Sequence, residues 1–246
     1  MYLTQFPINV TRRGARALVA SPYRMHAAIA GSFPPGTGND NDGRILWRID
    51  DADEGGLVLY MASPQKPSLV GLDEQIGWPD LERQWETRDY EPFLRSVRKG
   101  ARYRFRLTAN PVVSRIGIAN SRGDSKRLPH HTALHQAAWL VGSAAYEEVG
   151  AVVPEYVTKQ DGSRAERNGF EVCRDDTGTL QLLVSNMRKR AFAQGSTGRS
   201  ITLVSAQYDG VLKVIDDEKM QHVLRHGMGK AKGFGCGLMT LVPLES

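Results

Sequence analysis

A glycine-rich run near the carboxyl terminus restricts the fold of this chain more than any other stretch. Glycine recurs at positions 227, 229, 233, 235 and 237. Lys230 and Lys232 lie between these glycines, and the apolar stretch Leu238–Leu244 follows at once. Because glycine lets backbone amides come close to a ligand, and two lysines stand beside those amides, the expected ligand is a phosphate. A flexible linker is the alternative, but a strand over Leu238–Leu244 would fix the loop in place.

The glycine spacing does not match the usual mononucleotide-binding motifs. No Gly-x-x-x-x-Gly-Lys-[Ser/Thr] sequence occurs in the run, and Lys232 occupies the place where a Gly-x-Gly-x-x-Gly motif starting at Gly227 needs its third glycine. The run therefore favours the phosphate backbone of a polymer. With 32 Lys and Arg against 27 acidic residues, the net charge of +5 also suits a polyanionic partner, although a solvated basic surface explains that charge alone.

The length and the cysteine content limit the architecture and the compartment. At 246 residues the chain has room for two small domains, each with its own core. Cys173 and Cys236 lie far apart and lack the spacing of metal ligands, so neither a disulfide framework nor a zinc ribbon is expected. No signal peptide and no apolar run long enough to span a bilayer is found, which predicts a cytoplasmic protein without a membrane segment.

The dipeptide Ser21-Pro22 predicts the start of a helix, with Ser21 as its N-cap. Tyr23 and His26 then lie in the first turns and share a face, where free amides and the helix dipole attract an anion. The pair is a candidate general acid and base for a phosphodiester, because imidazole titrates near neutral pH and a phenol can orient a phosphate. The structural alternative is a tyrosine and a histidine that pack on a sheet with their polar tips hydrogen-bonded outward.

Each half of the chain has the order of strands and helices typical of a βαββαβ motif. In the first half, strands are predicted over Tyr2–Asn9, Arg44–Asp50 and Leu57–Ala62, with helical sequence over Gly14–Gly31. In the second half, strands are predicted over Arg102–Val113, Leu180–Ser185, Ile201–Ile215 and Leu238–Leu244, and helices over His131–Val149 and Asp216–Arg225. A hairpin turn is expected at Asp209-Gly210. The expected fold is α+β, with residues 1–97 and 98–246 as two domains, each a four-stranded antiparallel sheet with both helices on one side.

Strict alternation over Arg102–Thr108 places Arg102, Arg104 and Arg106 on one face of a strand. Three arginines in a row repel one another unless negative charge lies across them. Either a nucleic-acid backbone or the acidic segment that precedes the strand is therefore expected on this face.

Met187–Arg199 is a second basic stretch, which contains Arg188, Lys189 and Arg190. It is predicted to form a hairpin or loop that enters an RNA groove or binds phosphates, and a solvated loop tip is the alternative. The pairs His131/His135 and His222/His226 are each four residues apart, as in some zinc sites. Neither has the glutamate of His-Glu-x-x-His or an obvious third ligand, so surface histidines are expected.

Four motifs, taken together and in order, resemble the CasE family, the CRISPR repeat-processing endoribonucleases of type I-E systems. They are Ser-Pro-Tyr-Arg-Met-His at 21–26, Arg-Phe-Arg-Leu-Thr-Ala-Asn-Pro at 104–111, Ala-Ala-Trp-Leu at 137–140 and the glycine-rich end. The resemblance implies two tandem ferredoxin-like domains. It also implies cofactor-free, metal-independent cleavage of the precursor CRISPR transcript at the base of each repeat hairpin, after which the guide RNA is retained in the Cascade complex. A module of the same fold that holds the hairpin without cutting it is the alternative.

The resemblance assigns roles to individual residues and partners. The family's Tyr-x-x-His pattern falls on Tyr23 and His26, which are the expected catalytic residues. The expected RNA-binding residues are Arg24, Arg102, Arg104, Arg106, Arg188, Lys189, Arg190, Gly227, Gly229, Lys230, Lys232 and Gly233. The expected partners are the repeat RNA hairpin and other Cascade subunits, with the protein a monomer in isolation or a subunit of the complex.

The chain departs from the family pattern just after His26. Some members carry a lysine about one turn beyond the histidine, whereas this chain has Ala-Ala-Ile-Ala-Gly31. The cationic partner of the scissile phosphate must therefore come from elsewhere, and Arg24 and Arg188–Arg190 are the candidates.

Overall fold

The structure is a computed structural model that describes residues 1–37, 43–52, 56–79, 84–119, 125–158, 160–194 and 199–244. The chain forms two compact units. Unit 1 comprises Met1–Ser96, Ala191–Thr202 and Gln221–Leu238, and unit 2 comprises Val97–Arg190, Leu203–Met220 and Met239–Ser246. Two later segments thus group with the amino-terminal residues, and the division of the chain into domains 1–97 and 98–246 stays a prediction.

Unit 1 is built on a four-stranded antiparallel sheet. Its elements in chain order are β1 (Tyr2–Ile8), α1 (Arg13–Ala20), α2 (Pro22–Ala30), β2 (Leu46–Asp51), β3 (Leu57–Ser63), α3 (Val70–Ile76), β4 (Glu86–Asp89) and α4 (Glu91–Ser96). The strands lie in the order β2-β3-β1-β4, and each neighbouring pair is antiparallel. The first and third strands are therefore central, as in the βαββαβ fold. The short strand β4 completes the motif at a place where the sequence pattern does not locate a strand.

The core of unit 1 fixes the orientation of α2. Phe6 and Ile8 alternate along β1 and are buried on the same face of the sheet. Met25 and Ile29, four residues apart on α2, are fully buried in the same apolar cluster. Burial of each such side chain contributes about 1.5–3 kcal/mol. This packing holds one side of α2 against the sheet and determines which of its polar side chains remain accessible.

The remaining elements, some of which contribute residues to both units, follow in chain order. They are β5 (Arg102–Ala109), β6 (Val112–Ala119), β7 (Ser125–Pro129), α5 (Ala133–Val141), α6 (Ala144–Glu148), α7 (Glu155–Thr158), α8 (Arg164–Arg167), β8 (Phe170–Val172), β9 (Leu182–Gln194), β10 (Arg199–Val214), α9 (Asp217–His226) and β11 (Met239–Pro243). The second sheet has the order β11-β5-β10-β8, with β9 also paired to β10, and β6 and β7 form a separate pair. With β5 as the first strand, this order repeats that of unit 1. The α+β class and the tandem ferredoxin-like fold are confirmed.

The predicted hairpin turn at Asp209-Gly210 is wrong. Strand β10 continues through both residues, and Gly210 lies opposite Phe105 of β5. A Cβ atom at Gly210 would collide with the carbonyl oxygen of Gln181. The glycine therefore serves the close approach of two backbones, which sequence alone does not distinguish from a turn.

Three predicted elements of the second half have different bounds. The predicted strand Leu180–Ser185 is confirmed from Leu182 onward as the start of β9, which continues to Gln194 and pairs with β10. Strand β8, which also pairs with β10, is not predicted, because three residues are too few for a periodic signal. The predicted helix His131–Val149 is divided into α5 and α6 at Gly142, whose φ of 63° ends the first helix. The predicted strand Arg102–Val113 ends at Ala109, before Pro111.

None of the helices within the described ranges is both long enough and apolar enough to cross a lipid bilayer.

Candidate active site

Helix α2 presents Tyr23 and His26 in the way that the sequence predicts. Ser21 is the N-cap, and its hydroxyl accepts a hydrogen bond from the backbone amide of Arg24 at 3.4 Å. Pro22 takes the first helical position, where its missing amide hydrogen costs nothing. Tyr23 and His26 are half-buried and Arg24 is exposed. Both rings therefore lie at the border between the core of unit 1 and solvent.

The residues from Gly227 to Gly237, named here the glycine segment, pass directly over His26. The short 3-10 helix Lys232–Phe234 within this segment contacts both α2 and β2. A Cβ atom at Gly233 would lie 3.5 Å from Nε2 of His26. At Gly235 the backbone has a φ of 80°, and a Cβ atom would lie 2.8 Å from the ring of Trp47. The segment thus approaches two rings so closely that side chains at these positions would cover or displace them.

Several contacts within unit 1 hold the glycine segment in place. The amide of Met228 donates to the carbonyl of Gly237 at 3.0 Å, which closes the segment on itself. Phe234 packs edge-on against Phe192, with ring centroids 5.1 Å apart. At the end of the segment, the guanidinium of Arg48 donates to the carbonyl of Leu238 at 3.2 Å. The segment is therefore a fixed part of unit 1, and the alternative of a flexible linker does not fit these contacts.

His26 has an unusual environment for a histidine. Its Nδ1 atom is buried and has no hydrogen-bond partner among the described residues. Burial, and to a lesser extent the positive charge of Arg44, lowers the pKa of His26 below the usual value for histidine. The imidazole is therefore neutral at neutral pH and able to accept a proton.

The charged groups that influence this part of unit 1 are cationic. Burial, together with the charges of Arg44 and Lys230, lowers the pKa of Lys232. Burial, followed by the charges of His222, Lys232, Arg225 and Arg44, lowers the pKa of His226. Each cation makes its neighbours harder to protonate, so a bound anion would relieve the repulsion. The glycine segment thus has the electrostatic character of a phosphate site.

Arg44 is a residue of this cluster that the sequence pattern does not single out. It precedes β2, and its distance from His26 along the chain gives no local signal. The candidates from sequence for the cation beside the scissile phosphate are Arg24 and Arg188–Arg190. Of these, Arg24 lies on α2 itself, while Arg188–Arg190 belong to unit 2. The charge that acts on His26 is that of Arg44.

The arginines of β5 lie in unit 2 and follow the predicted alternation. Tyr103, Phe105 and Leu107 are buried, and Arg102 and Arg104 are exposed. Arg106 is only partly exposed, and its guanidinium binds the carboxylate of Asp209 on β10 at 2.6 Å. The acidic partner of this face thus comes from the neighbouring strand, and the preceding acidic segment is not needed to explain it.

The basic stretch Arg188–Arg190 lies within strand β9, also in unit 2. Arg188 and Lys189 are exposed and Arg190 is half-buried. Because β9 pairs with β10, the hairpin interpretation of Met187–Arg199 fits the structure at its two strands, and residues 195–198 lie outside the described residues.

The histidine pairs do not assemble a metal-binding cluster in the part of the chain that the structure describes. No group of three or more His, Cys, Asp or Glu side chains in those residues is arranged to hold a metal ion. His222 and His226 stack with ring centroids 4.3 Å apart. Nδ1 of His135 lies 2.7 Å from the hydroxyl of Thr132, the N-cap of α5.

Comparison with known proteins decides the family. The profile of the family described as "CRISPR associated protein" matches residues 1–243. The chain belongs to this family. It is 26% identical over 250 residues to the CRISPR-associated endoribonuclease Cse3 of Thermus thermophilus, covering 99% of this chain and 100% of that protein. It is 25% identical over 256 residues to the Cascade subunit CasE of Escherichia coli, with coverage of 99% and 100%. The resemblance to the CasE family is confirmed.

Solved structures show the same fold over nearly the whole chain. Thermus thermophilus Cse3 bound to an RNA that represents a pre-cleavage complex has a TM-score of 0.70 to this protein at 24% identity, covering 98% of each chain. Cas6e from Escherichia coli has a TM-score of 0.58 at 23% identity, covering 99% of this chain and 100% of its own. These similarities support the assignment of both sheets to ferredoxin-like folds.

Proposed function

We propose that this CRISPR-associated protein is an endoribonuclease that cuts precursor CRISPR RNA at the base of the repeat hairpin and then retains the guide RNA as a subunit of Cascade. The observation that carries the proposal is the half-buried imidazole of His26 against Gly233 of the glycine segment, where burial and the charge of Arg44 lower its pKa. The names of the two curated relatives, an endoribonuclease and a Cascade subunit, support the same activity.

In the proposed reaction, the ribose 2′-hydroxyl attacks the adjacent phosphorus atom. One P–O bond forms and the P–O bond to the 5′-oxygen breaks, which leaves a 2′,3′-cyclic phosphate and a 5′-hydroxyl. His26 is neutral at neutral pH and accepts the proton of the 2′-hydroxyl as general base. Tyr23, on the same face of α2, positions the 2′-hydroxyl or shares in the proton transfer, and the 5′-oxygen takes up a proton from water as it leaves. No step requires a metal ion or another cofactor.

The cations of the site are proposed to stabilise the negative charge that develops on the phosphate. The pentavalent phosphorane carries more negative charge than the starting phosphodiester, so fixed positive charge beside it stabilises the transition state. Lys232 directly precedes Gly233, which lies against the His26 ring, and the charge of Lys230 acts on Lys232. The exposed Arg102 and Arg104 and the basic stretch Arg188–Arg190 are proposed to bind the RNA backbone away from the cut.

The proposed partners and compartment follow from the same activity. The protein binds the repeat hairpin of CRISPR RNA, associates with other Cascade subunits, and acts in the cytoplasm, where precursor transcripts are made. Purification of the tagged protein with and without co-expressed Cascade subunits tests this part. Recovery of a stable complex that contains guide RNA supports it, and recovery of the protein always alone and free of RNA contradicts it.

The activity is tested by cleavage of a repeat hairpin in the presence of EDTA. We expect cleavage in EDTA, and its loss when the scissile ribose carries a 2′-deoxy substitution. We expect His26→Ala to slow cleavage by roughly a hundredfold or more while the affinity for the deoxy hairpin stays within a factor of a few. His131→Ala, which removes an exposed histidine of unit 2, is the matched control and should cleave normally.

Two results would contradict the assignment. Intact RNA that stays tightly bound to the unaltered protein would favour a hairpin-binding module without catalysis. A His26→Ala protein that loses binding together with cleavage would show that the imidazole has a structural role.

A further inference from the structure

We propose that Arg44 and Lys232 together bind the scissile phosphate beside His26 and supply the positive charge that stabilises the phosphorane. This inference rests on the proposed endoribonuclease function and assigns its cationic residues. Neither Arg24, on α2, nor the basic stretch of β9 is required for this role.

The backbone geometry fixes Lys232 close to His26. Lys232 opens the 3-10 helix, and the next residue, Gly233, contacts the imidazole ring. A Cβ atom at Gly237 would lie 3.2 Å from Cγ of Lys232, so the aliphatic stem of the lysine packs over that glycine. The side chain is half-buried, which restricts the movement of its ammonium group. The ammonium group of Lys232 is therefore less mobile than that of an exposed surface lysine.

The backbone of Arg44 is fixed by a hydrogen bond, whereas its side chain is exposed. Its amide donates to the carbonyl of Arg225 in the last turn of α9 at 3.0 Å. The residues that follow, Ile45, Leu46 and Trp47, are buried in the core of unit 1. The Cα atom of Arg44 therefore has a fixed position between α9 and β2, and its side chain is accessible to a ligand.

Arg44 is the cation that three titratable groups share. After burial, which is the largest cause in each case, its charge lowers the pKa of His26, of His226 and of Lys232. The residues that follow Arg44 lie against the glycine segment: a Cβ atom at Gly227 would lie 2.7 Å from the side chain of Leu46, and one at Gly235 would lie 2.8 Å from the ring of Trp47. Besides His26 and Arg44, the charged and titratable residues of unit 1 on α1, α2, β2, α9 and the glycine segment are Arg13, Arg16, Tyr23, Arg24, Arg48, Asp50, Asp51, His222, Arg225, His226, Lys230, Lys232 and Cys236.

Two carboxylates of unit 1 are already engaged by other arginines. Glu91 accepts two hydrogen bonds from Arg225, at 2.6 and 2.8 Å, and also binds the amino terminus at 2.8 Å. These contacts lower the pKa of Glu91 to about 2. Asp50 is buried and bound by Arg48 at 2.6 and 2.9 Å. Both carboxylates are thus bound by arginines other than Arg44.

The two side chains complement each other chemically. A guanidinium presents several N–H donors in one plane and binds two phosphate oxygens at once, whereas an ammonium is a compact point charge. A phosphorane has negative oxygens in its equatorial plane, and two cations that contact it from different elements stabilise it more than the starting diester. Arg44 precedes β2 and Lys232 lies in the glycine segment, so the two cations come from different parts of unit 1.

Single-turnover cleavage at saturating protein tests the assignment. We expect Arg44→Ala and Lys232→Ala each to slow cleavage by roughly a hundredfold, since loss of one transition-state donor has this effect in other enzymes. Arg44→Lys should recover part of the rate, because the charge remains and the planar pair of donors is lost. Arg95→Ala and Lys66→Ala remove exposed cations elsewhere in unit 1 and are the matched controls, with rates expected at the unaltered level.

A second measurement does not depend on cleavage. In an NMR titration of His26 in the RNA-free protein, Arg44→Ala should raise the pKa of the imidazole, because one depressing charge is removed. Inorganic phosphate should also raise that pKa in the unaltered protein, and should do so less in the Arg44→Ala and Lys232→Ala proteins.

The outcomes separate the two proposals. If the unaltered protein does not cleave RNA, the proposed function fails, and the phosphate titration still decides whether the site exists. If the unaltered protein cleaves, and Arg44→Ala cleaves at the same rate with an unchanged pKa of His26, the role of Arg44 is refuted and the proposed function stands. A loss confined to RNA affinity, with a normal rate at saturation, would likewise exclude Arg44 from the scissile phosphate.

Discussion

Substitution by alanine at two glycines of the glycine segment should impair different properties: Gly233→Ala should slow cleavage, and Gly235→Ala should reduce stability. At Gly233, a Cβ atom would lie 3.5 to 3.7 Å from three atoms of the His26 ring, which is ordinary van der Waals contact. The backbone of Gly233 is not among those with positive φ, so alanine fits its conformation. We expect Gly233→Ala to change the free energy of unfolding by no more than about 1 kcal/mol.

The same methyl group should nevertheless impair cleavage. A general base must come within roughly 2.6–3.2 Å of the oxygen from which it takes a proton. A methyl group 3.5 Å from Nε2 occupies part of that approach. Because a displacement of about 1 Å between reacting groups costs on the order of a hundredfold in rate, we expect Gly233→Ala to slow single-turnover cleavage by roughly ten- to a hundredfold.

Gly235→Ala should instead destabilise the protein. Its φ of 80° lies in the left-handed region, and a Cβ atom would lie 2.8 Å from the ring of Trp47. Left-handed strain costs about 1–2 kcal/mol and overpacking about 1–3 kcal/mol, so the sum is about 2–5 kcal/mol. For a chain of this size the midpoint of thermal unfolding should fall by roughly 5–15 °C. Thermal unfolding followed by circular dichroism, together with single-turnover cleavage of both variants, measures the contrast. A Gly233→Ala protein that cleaves at the unaltered rate, or a Gly235→Ala protein with an unaltered midpoint, would refute this account of the segment.

Three further predictions concern pH and RNA affinity. Because the pKa of His26 is lowered, kcat/KM should rise with pH through an inflection below the usual histidine value and then level off, and an inflection above that value would contradict the role of neutral imidazole. Arg104→Ala should reduce the salt dependence of hairpin binding by about one counterion. Arg106→Ala should reduce it less, because Asp209 already neutralises that charge, and equal slopes for the two variants would contradict this reasoning. Replacement of Arg188–Arg190 by alanine should weaken binding and flatten its salt dependence, while an unchanged slope would remove β9 from the RNA contact surface.

The local elements of the fold were largely predictable from sequence. The N-cap at Ser21 and the proline after it specify the start of α2, and the structure has that helix start with the expected capping hydrogen bond. The alternation over Arg102–Thr108 correctly gives the buried and exposed sides of β5. The helix predicted over Asp216–Arg225 is α9, and Asp216 caps it, since its carboxylate accepts from the amide of Lys219 at 3.0 Å. These features depend on residues within one or two turns of each other.

The elements that the sequence misplaced depend on contacts between distant residues. Strand β8 has three residues and exists because it pairs with Leu212–Val214 of β10. Gly210 is consistent with a turn by composition and lies in a strand because the backbone of Gln181 passes close to it. In both cases the deciding partner is on another element, which no local pattern can represent.

The sequence by itself determined most of the strands and helices, the pair Tyr23 and His26 on one helical face, and the expectation that the glycine segment binds phosphate. Periodicity, capping and glycine content are local properties, so they can be read along the chain. Only the tertiary structure decided that Gly233 lies against the imidazole, that burial keeps this imidazole neutral, and that Arg44 is the cation acting on it. Desolvation and charge interactions depend on distances in space, and packing sets those distances only after the chain has folded.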